Sequence, residues 1–352
     1  MLNIYNETLT LDHIYPGMIL GAPVVIHGQF YLHSGTELTP ALLDRLRDLG
    51  FDRLTIRRGI QLHKRTELTV EEKKFVNTYQ DTVGKLHQAF DNVRFFKELP
   101  LQRMEELAGE SIDQFVEQPN VINHLQLVRH QDEYTFQHSI NVSIIAGIIA
   151  KWMGFKGAEL RQVVLTGLLH DIGKTQVPLE ILNKPGKLTP QEMAIMKRHT
   201  AFGYDLLKKA EVAPHVFLGA LQHHERNDGT GYPLRVSHEN IHEYARITAV
   251  ADLYDAMTSN RVYQKKRTPF VVIETLAREM FSALDPTICL AFLDNIRSYL
   301  MGGTVVLSNG QEGEIVYLDN FALSRIVVAI TDGTFIRLDE RKDLKVVDFY
   351  NF

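Results

Sequence analysis

From residue 120 to residue 300 the chain repeats one pattern. Apolar residues recur at helical spacing in segments of about 10 to 20, each ended by Gly, Pro or an Asn-Asp-Gly step. A period near 3.6 cannot serve a sheet, whose side chains alternate with a period of two, so this stretch is committed to a helical bundle. After Met301-Gly302-Gly303 the period flips. Alternating runs at 305–307, 314–318, 326–330 and 335–338 are separated by Asn309-Gly310 and Asp332-Gly333, which are hairpin turns by composition. The fold class expected is mainly α: a helical bundle, a small α+β N-terminal module, and a small SH3-like β-barrel as the C-terminal tail.

Four segments follow from these changes of pattern: a front module at 1–65, a helical linker or hairpin at 66–119, the bundle at 120–300 and the tail at 301–352. In the front module, runs at 19–25 and 29–32 read as short strands around His27-Gly28. Thr39-Pro40 opens a helix with a cap and a proline at its first position, Gly50 ends it, and 54–56 reads as a closing strand. In the linker, Thr69-Val70-Glu71-Glu72 is a capping box. Val76, Tyr79, Val83, Leu86, Phe90 and Val93 then alternate steps of three and four, which fits either a homodimer seam along the 69–93 helix or packing on the chain's own bundle. A second helical stretch runs around 104–116.

The chain has 352 residues, ample for a full core. With 38 Lys and Arg against 43 Asp and Glu, it carries a net charge of −5 and lacks the positive field of a non-specific DNA binder. One cysteine, Cys289, cannot build a thiolate metal cage or an internal disulfide, which suits a reducing cytoplasm. The densest apolar run, 144–150, is far too short for a membrane span, and the first residues lack the pattern of a signal peptide.

Chemistry concentrates in the bundle. Nine of the fifteen histidines fall between His130 and His242, several beside carboxylates, as in His170-Asp171 and His223-His224-Glu225. Imidazole and carboxylate without thiolate is the donor set for Zn, Mn or non-haem Fe. Neighbouring helical residues point about 100° apart, so His170 and Asp171 do not easily share one ion alone; a bridging Asp171 with one oxygen on each of two metals resolves this. Two metals about 3.5–4 Å apart suit in-line attack on a phosphodiester.

The segments His170-Asp171-Ile172-Gly173-Lys174, Lys184-Pro185-Gly186-Lys187-Leu188-Thr189 and His223-His224-Glu225-Arg226-Asn227-Asp228-Gly229-Thr230-Gly231-Tyr232-Pro233 occur in this order. They resemble the HD-GYP family of HD-domain metal-dependent phosphohydrolases, over about residues 134–269. The front module, from Ile14-Tyr15-Pro16-Gly17-Met18 through Gly50, is more loosely similar to an element often attached to that family. The resemblance implies a bacterial signalling hydrolase that opens cyclic di-GMP to linear pGpG, and further to GMP if it cuts twice. It implies two divalent ions as cofactors, iron first and manganese second. The implied metal ligands are His138, His170, Asp171, His199, His223, His224 and Asp252, with Asp171 as the bridge and a bridging hydroxide as nucleophile. His138, His170 and Asp252 would hold one ion, and His199, His223 and His224 the other. Asp171 and Lys174 are the implied catalytic pair; Lys174, Gly231, Tyr232, Pro233 and Arg261 are the implied substrate contacts.

Three departures bear on this. Trimetal relatives carry a glutamate four residues before the first histidine ligand; here that position is Tyr134, with Glu133 one residue off, so two metals are expected. Gln264 stands where a basic residue is common, with Lys265 and Lys266 beside it, and Asn227 replaces an aromatic before Asp-Gly. The last two concern substrate grip. They leave open a metal-containing sensing or docking module with signalling-protein partners and little turnover, or a phosphodiesterase for another cyclic dinucleotide such as cyclic GMP-AMP. Asp255 is placed either to orient a ligand histidine or to cap a neighbouring turn. His215, His238 and His242 are expected as surface residues, and Phe202, Tyr204, Phe217 and Tyr254 as core. Nothing in the front module marks a haem, flavin or phospho-acceptor site.

Overall fold

The structure, a computed structural model, describes residues 5–26, 29–58, 68–118, 120–128, 134–259, 267–319, 325–330 and 333–350. It divides into two compact units, Glu67–Asn295 and a second made of Met1–Thr66 with Ile296–Phe352. Compactness therefore joins the first and last of the segments read from the sequence.

The larger unit is helical. It opens with α2 (Val70–Phe96), which follows α1 (Pro40–Asp48) of the other unit in the chain. Thr69 and Glu72 close the expected capping box reciprocally, Thr69 Oγ1 accepting from the Glu72 amide and Glu72 Oε2 from the Thr69 amide at 2.6 Å. Tyr79, Val83, Leu86, Phe90 and Val93 are buried within the chain. The heptad stripe thus packs on its own bundle, and a homodimer seam cannot use that face. The second helical stretch is α3 (Leu101–Glu106), a π-helical turn (Leu107–Ile112) and α4 (Asp113–Glu117). Then come α5 (Val121–Val128), α6 (Tyr134–Trp152) and α7 (Gly157–Leu169). The apolar run at 144–150 is the middle of α6, buried on all sides. Here α7 crosses so closely that a Cβ on Gly167 would lie 2.8 Å from Ser143 Cα, while Ser143 Oγ donates to the Val164 carbonyl at 2.6 Å.

A 3-10 turn (Ile172–Gln176) and the short α8 (Leu179–Leu182) lead to α9 (Pro190–Lys197), opened by the capping box of Thr189 and Glu192. After α10 (His199–Lys209) and α11 (Pro214–Gln222) the chain makes a long loop, then forms α12 (Glu243–Thr258), which packs on α6. The last two helices are α13 (Pro269–Glu279) and α14 (Pro286–Leu300). No helix among the described residues is long and apolar enough to cross a membrane.

The smaller unit contains β1 (Tyr5–Thr10) paired antiparallel with β4 (Arg53–Arg58), and β2 (Val24–Ile26) paired with β3 (Gln29–Leu32). Leu20, Leu38, Leu46 and Ile56 form its fully buried centre. A five-stranded antiparallel sheet follows from β5 (Thr304–Leu307), β6 (Glu312–Leu318), β7 (Ile326–Ile330), β8 (Phe335–Arg337) and β9 (Val346–Tyr350), in the order β8-β7-β6-β5-β9. The two ends of the chain meet here: Phe335 packs on the front core, and a Cβ on Gly17 would collide with the Val316 carbonyl. Neither β1 nor β9 was expected, because neither shows clean alternation and each is defined by its partner strand. His27, Gly28 and Asp332, expected in turns, lie outside the described residues.

Candidate metal centre

Five of the seven expected ligands come from helix ends, and those ends explain how adjacent residues converge. His170 is the last helical residue after α7 (φ −54°, ψ −36°), whereas Asp171 has already left the helix (φ −102°, ψ 8°). The break between them turns both side chains inward, a solution that an unbroken helix would not allow. His199 likewise opens α10, and His223 closes α11 with His224 just beyond it. His138 lies in α6, and Asp252 and Asp255 in α12.

Three histidines are aimed by the same device. His170 Nδ1 donates to the Gly167 carbonyl at 2.7 Å, His199 Nδ1 to that of Met196 at 2.8 Å and His223 Nδ1 to that of Ala220 at 3.0 Å. A carbonyl only accepts, so Nδ1 carries the proton and the Nε2 lone pair faces the site. His138 achieves this with a carboxylate: its Nδ1 lies 2.8 Å from Asp255 Oδ2. That settles the alternatives for Asp255, which orients a candidate ligand.

Asp171 sits at the centre, 2 % exposed. Its Oδ2 lies 3.2 Å from His170 Nε2 and 3.7 Å from His138 Nε2, and accepts from the Lys174 ammonium. Its Oδ1 faces the other way, 3.3 Å from His199 Nε2 and 3.8 Å from His223 Nε2. Asp252 lies 3.1 Å from His138 Nε2 through one oxygen and 3.8 Å from His224 Nδ1 through the other. Three groups bring their donor atoms within 4.8 Å of one another: His199, His223 and His224; His138, His170 and Asp252; His170, Asp171 and His223.

The electrostatics favour a ligand set awaiting cations. Burial is the largest influence on His199, His223 and His224; against the pull of Asp171 or Asp252 it moves His199 down to about 4 and His224 down to about 3, and it holds His223 well below the usual imidazole range. These three are neutral at neutral pH, as ligands must be. Burial opposes charge on His138 too, but the hydrogen bonds that the Asp252 and Asp255 carboxylates accept from its ring prevail and push it up to about 9. Both Asp171 and Asp252 stay well below the carboxylate range despite burial, through Lys174 and His170 for the first and through His138 for the second. His170 Nε2 and Asp171 Oδ1 are buried without a hydrogen-bond partner. Leaving such atoms unsatisfied costs about 1–3 kcal/mol each, more when charged, and divalent cations bound on the two sides of Asp171 would remove that cost. The residues present therefore fit the expected metals.

One wall of the site is the loop after His224. The Tyr232 ring lies over His224 at 4.7 Å and 32°, and Lys197 places its ammonium 4.7 Å from the Tyr232 centroid. Burial, and then Asp171 and Asp252, raise the Tyr232 phenol, which remains a neutral donor. The loop is held from beneath. Glu225, 4 % exposed, accepts from the amides of Leu234 at 2.6 Å and Arg235 at 3.1 Å through Oε1, and from Val236 at 3.2 Å through Oε2. From the sequence Glu225, like Asp255, is placed either to orient a ligand histidine or to cap a neighbouring turn; in the structure it holds this loop, through partners nine to eleven residues on. Changing Glu225→Gln leaves one oxygen for three amides and turns an NH2 donor toward at least one of them. The expected result is a loss of about 1–3 kcal/mol in thermal unfolding and a KM raised more than kcat is lowered. An unchanged melting temperature and KM would count against this anchoring role.

Other expectations land differently. Asn227 was read as part of the substrate grip, but its side chain donates to the Leu284 carbonyl at 2.7 Å and its amide to that of Ala283 at 2.9 Å, so it ties the loop to the turn before α14. His238 pairs with Asp285 at 2.9 Å, and Arg246 shares that carboxylate. Tyr254 is core, and Tyr204 meets Phe217 edge-on at 5.2 Å. Arg261, Gln264, Lys265, Lys266 and Glu133 lie outside the described residues, as does the side chain of Tyr134, on which the two-metal expectation rested.

A buried, thiolate-free cluster of imidazoles and carboxylates at the helix ends of a bundle has the donor set of a hydrolytic metal centre. Residues 122–288 match the HD domain family. It is 36 % identical over 228 residues to a cyclic di-GMP phosphodiesterase of Pseudomonas aeruginosa, covering 64 % of this chain and 55 % of that protein. It is 29 % identical over 234 residues to a 3'3'-cGAMP-specific phosphodiesterase of Vibrio cholerae, covering 65 % of this chain and 41 % of that protein. The chain thus spans about half the length of these curated relatives. Among solved structures, an HDG"Y"P protein from Bdellovibrio bacteriovorus shares the fold with a TM-score of 0.50 at 16 % identity, covering 83 % of this chain and 100 % of the other.

Proposed function

We propose that this chain is a metal-dependent phosphodiesterase that opens cyclic di-GMP to linear pGpG, and to GMP with a second cut. The observation that carries the proposal is the division of Asp171, whose two oxygens face separate histidine sets across one buried centre. His138, His170 and Asp252 would hold one ion, and His199, His223 and His224 the other, with Asp171 shared. Divalent ions held there, iron or manganese, would supply Lewis-acid chemistry: a lower pKa for water and neutralisation of charge on the phosphodiester's attacking and leaving oxygens.

The chain's own residues do the rest. Lys174, hydrogen-bonded to Asp171 yet about a quarter exposed, is placed to neutralise a phosphate oxygen at the edge of the centre. Gly231, Tyr232 and Pro233 shape the lip, the Tyr232 phenol offering a neutral donor. Arg261 is proposed for the second phosphate or a guanine. We keep the division at 1–65, 66–119, 120–300 and 301–352 as a proposal, together with SH3-like closure of the C-terminal sheet, cytoplasmic location, signalling-protein partners and a homodimer through the 69–93 helix, outside its buried stripe. Cyclic GMP-AMP is the competing substrate, favoured by the name of the Vibrio cholerae relative.

The test is turnover of both dinucleotides by protein purified without oxygen, with iron and manganese counted per chain on the same sample. About two ions per chain and linear pGpG are expected. Two ions with no product from either nucleotide would overturn the catalytic reading in favour of a sensing module. Metal removal supplies a second check: at a manganese concentration 100 times Kd, the chelated protein should regain about 2.7 kcal/mol of stability. A melting temperature indifferent to manganese would contradict the metal assignment.

A further inference from the structure

The helix preceding the bundle's metal-bearing elements reaches the centre through a chain of hydrogen bonds that no sequence motif marks. The Tyr79 hydroxyl, in α2 and 1 % exposed, donates to Asn141 Oδ1 at 2.7 Å, with the Gln137 carbonyl also within 3.2 Å. Asn141 Nδ2 donates to Asp255 Oδ1 at 2.9 Å, and the other oxygen of Asp255 takes the proton of His138 Nδ1 at 2.8 Å. Ser259 Oγ completes the shell of Asp255 at 3.0 Å. Tyr79, Asn141, Asp255 and His138 are all buried, so no water competes for these bonds. Near its other end α2 makes a second contact with the site's framework: Arg94 donates to the carbonyls of Lys174 at 3.1 Å and Val177 at 3.2 Å, gripping the turn that follows Asp171.

We infer that α2 is a positioning element of the metal centre, and that Tyr79 acts through Asn141 and Asp255 to fix the ring of His138. The physical basis is the dependence of ligand basicity and orientation on the group hydrogen-bonded to the far ring nitrogen, here extended by two more bonds to a separate helix. Asn141 donates with one end and accepts with the other, so the relay has a direction. Without the Tyr79 hydroxyl Asn141 loses the donor to its Oδ1, so the amide that hydrogen-bonds Asp255 is held less firmly. Because α2 is held at both Tyr79 and Arg94, an axial shift of this helix would be felt at His138 and at the lysine-bearing turn together.

The inference rests on the metal-site reading above. Its test is manganese binding to metal-stripped full-length protein by titration calorimetry, in the parent, Tyr79→Phe and Phe75→Leu. Phe75 stacks on the Tyr79 ring at 6.1 Å and serves as a packing control. Tyr79→Phe keeps the ring and is expected to weaken one manganese site about tenfold, with little change in the melting temperature of the metal-free protein. Phe75→Leu is expected to lower that melting temperature and leave manganese affinity as in the parent. A Tyr79→Phe isotherm superimposable on the parent's would overturn the inference, as would an equal loss of affinity in both variants. Should the parent bind manganese but turn over no dinucleotide, the phosphodiesterase reading falls and the isotherms still decide this one. A parent that takes up no manganese would sink both.

Discussion

Replacing Asp171 with Asn is expected to abolish turnover, leaving less than about a thousandth of the parent rate, equivalent to more than about 4 kcal/mol of barrier. Size is unchanged, so the effect is one of charge and donor number. Asp171 alone has one oxygen toward His138 and His170 and the other toward His199 and His223. An amide offers one oxygen and a nitrogen that repels a cation, so neither half of the centre keeps its shared ligand. Lys174 also loses the carboxylate that receives its ammonium. Metal counted per chain should fall alongside activity, which separates this outcome from the loss of a purely catalytic group. A variant that retains both ions and normal rates would show that Asp171 is not the bridge.

Gly173→Ala should produce the largest structural effect of any single methyl group in the bundle. A Cβ there would lie 1.9 Å from the His199 carbonyl oxygen, 2.4 Å from the Gly203 nitrogen and 2.9 Å from the His199 carbonyl carbon. All three are backbone atoms of α10, which cannot swing aside as a side chain does. Overpacking of this kind costs about 3 kcal/mol or more, roughly 6–12 °C in melting temperature for a unit of this size. The displaced segment begins with His199, so manganese binding and turnover should fall further than stability does, even well below the melting point. Thermal denaturation and a manganese titration of the same sample would check both halves. Parent-like behaviour in both would mean that α10 and the 172–176 turn are not in the close contact described.

Local chemistry made much of the fold legible. The capping boxes at Thr69 and Thr189 and the proline after Thr39 each depend on residues within four positions, and each forms as expected. Helical period and Asx-Gly turns are also local, and they separated the bundle from the tail. By contrast, β1 and β9 exist because β4 and β5 lie beside them, and their own residues carry little alternation. The linker stripe showed that α2 has one apolar face but not what covers it; only tertiary packing turned that face inward.

The same division runs through the site. The sequence by itself determined the donor chemistry: imidazoles and carboxylates without thiolate, with His170-Asp171 and His223-His224 as adjacent pairs in a helical context. It could do so because ligand type is a property of the residue. Tertiary structure decided where the lone pairs point, through helix ends that break between His170 and Asp171 and through Nδ1 bonds to carbonyls three residues back. It also decided the outer support, in which Tyr79 and Asp255 meet around Asn141 from positions far apart in the chain, and in which Glu225 holds the loop behind Tyr232. Such bonds require separate segments of the chain to be placed to within a few tenths of an ångström, and no spacing along the sequence encodes that.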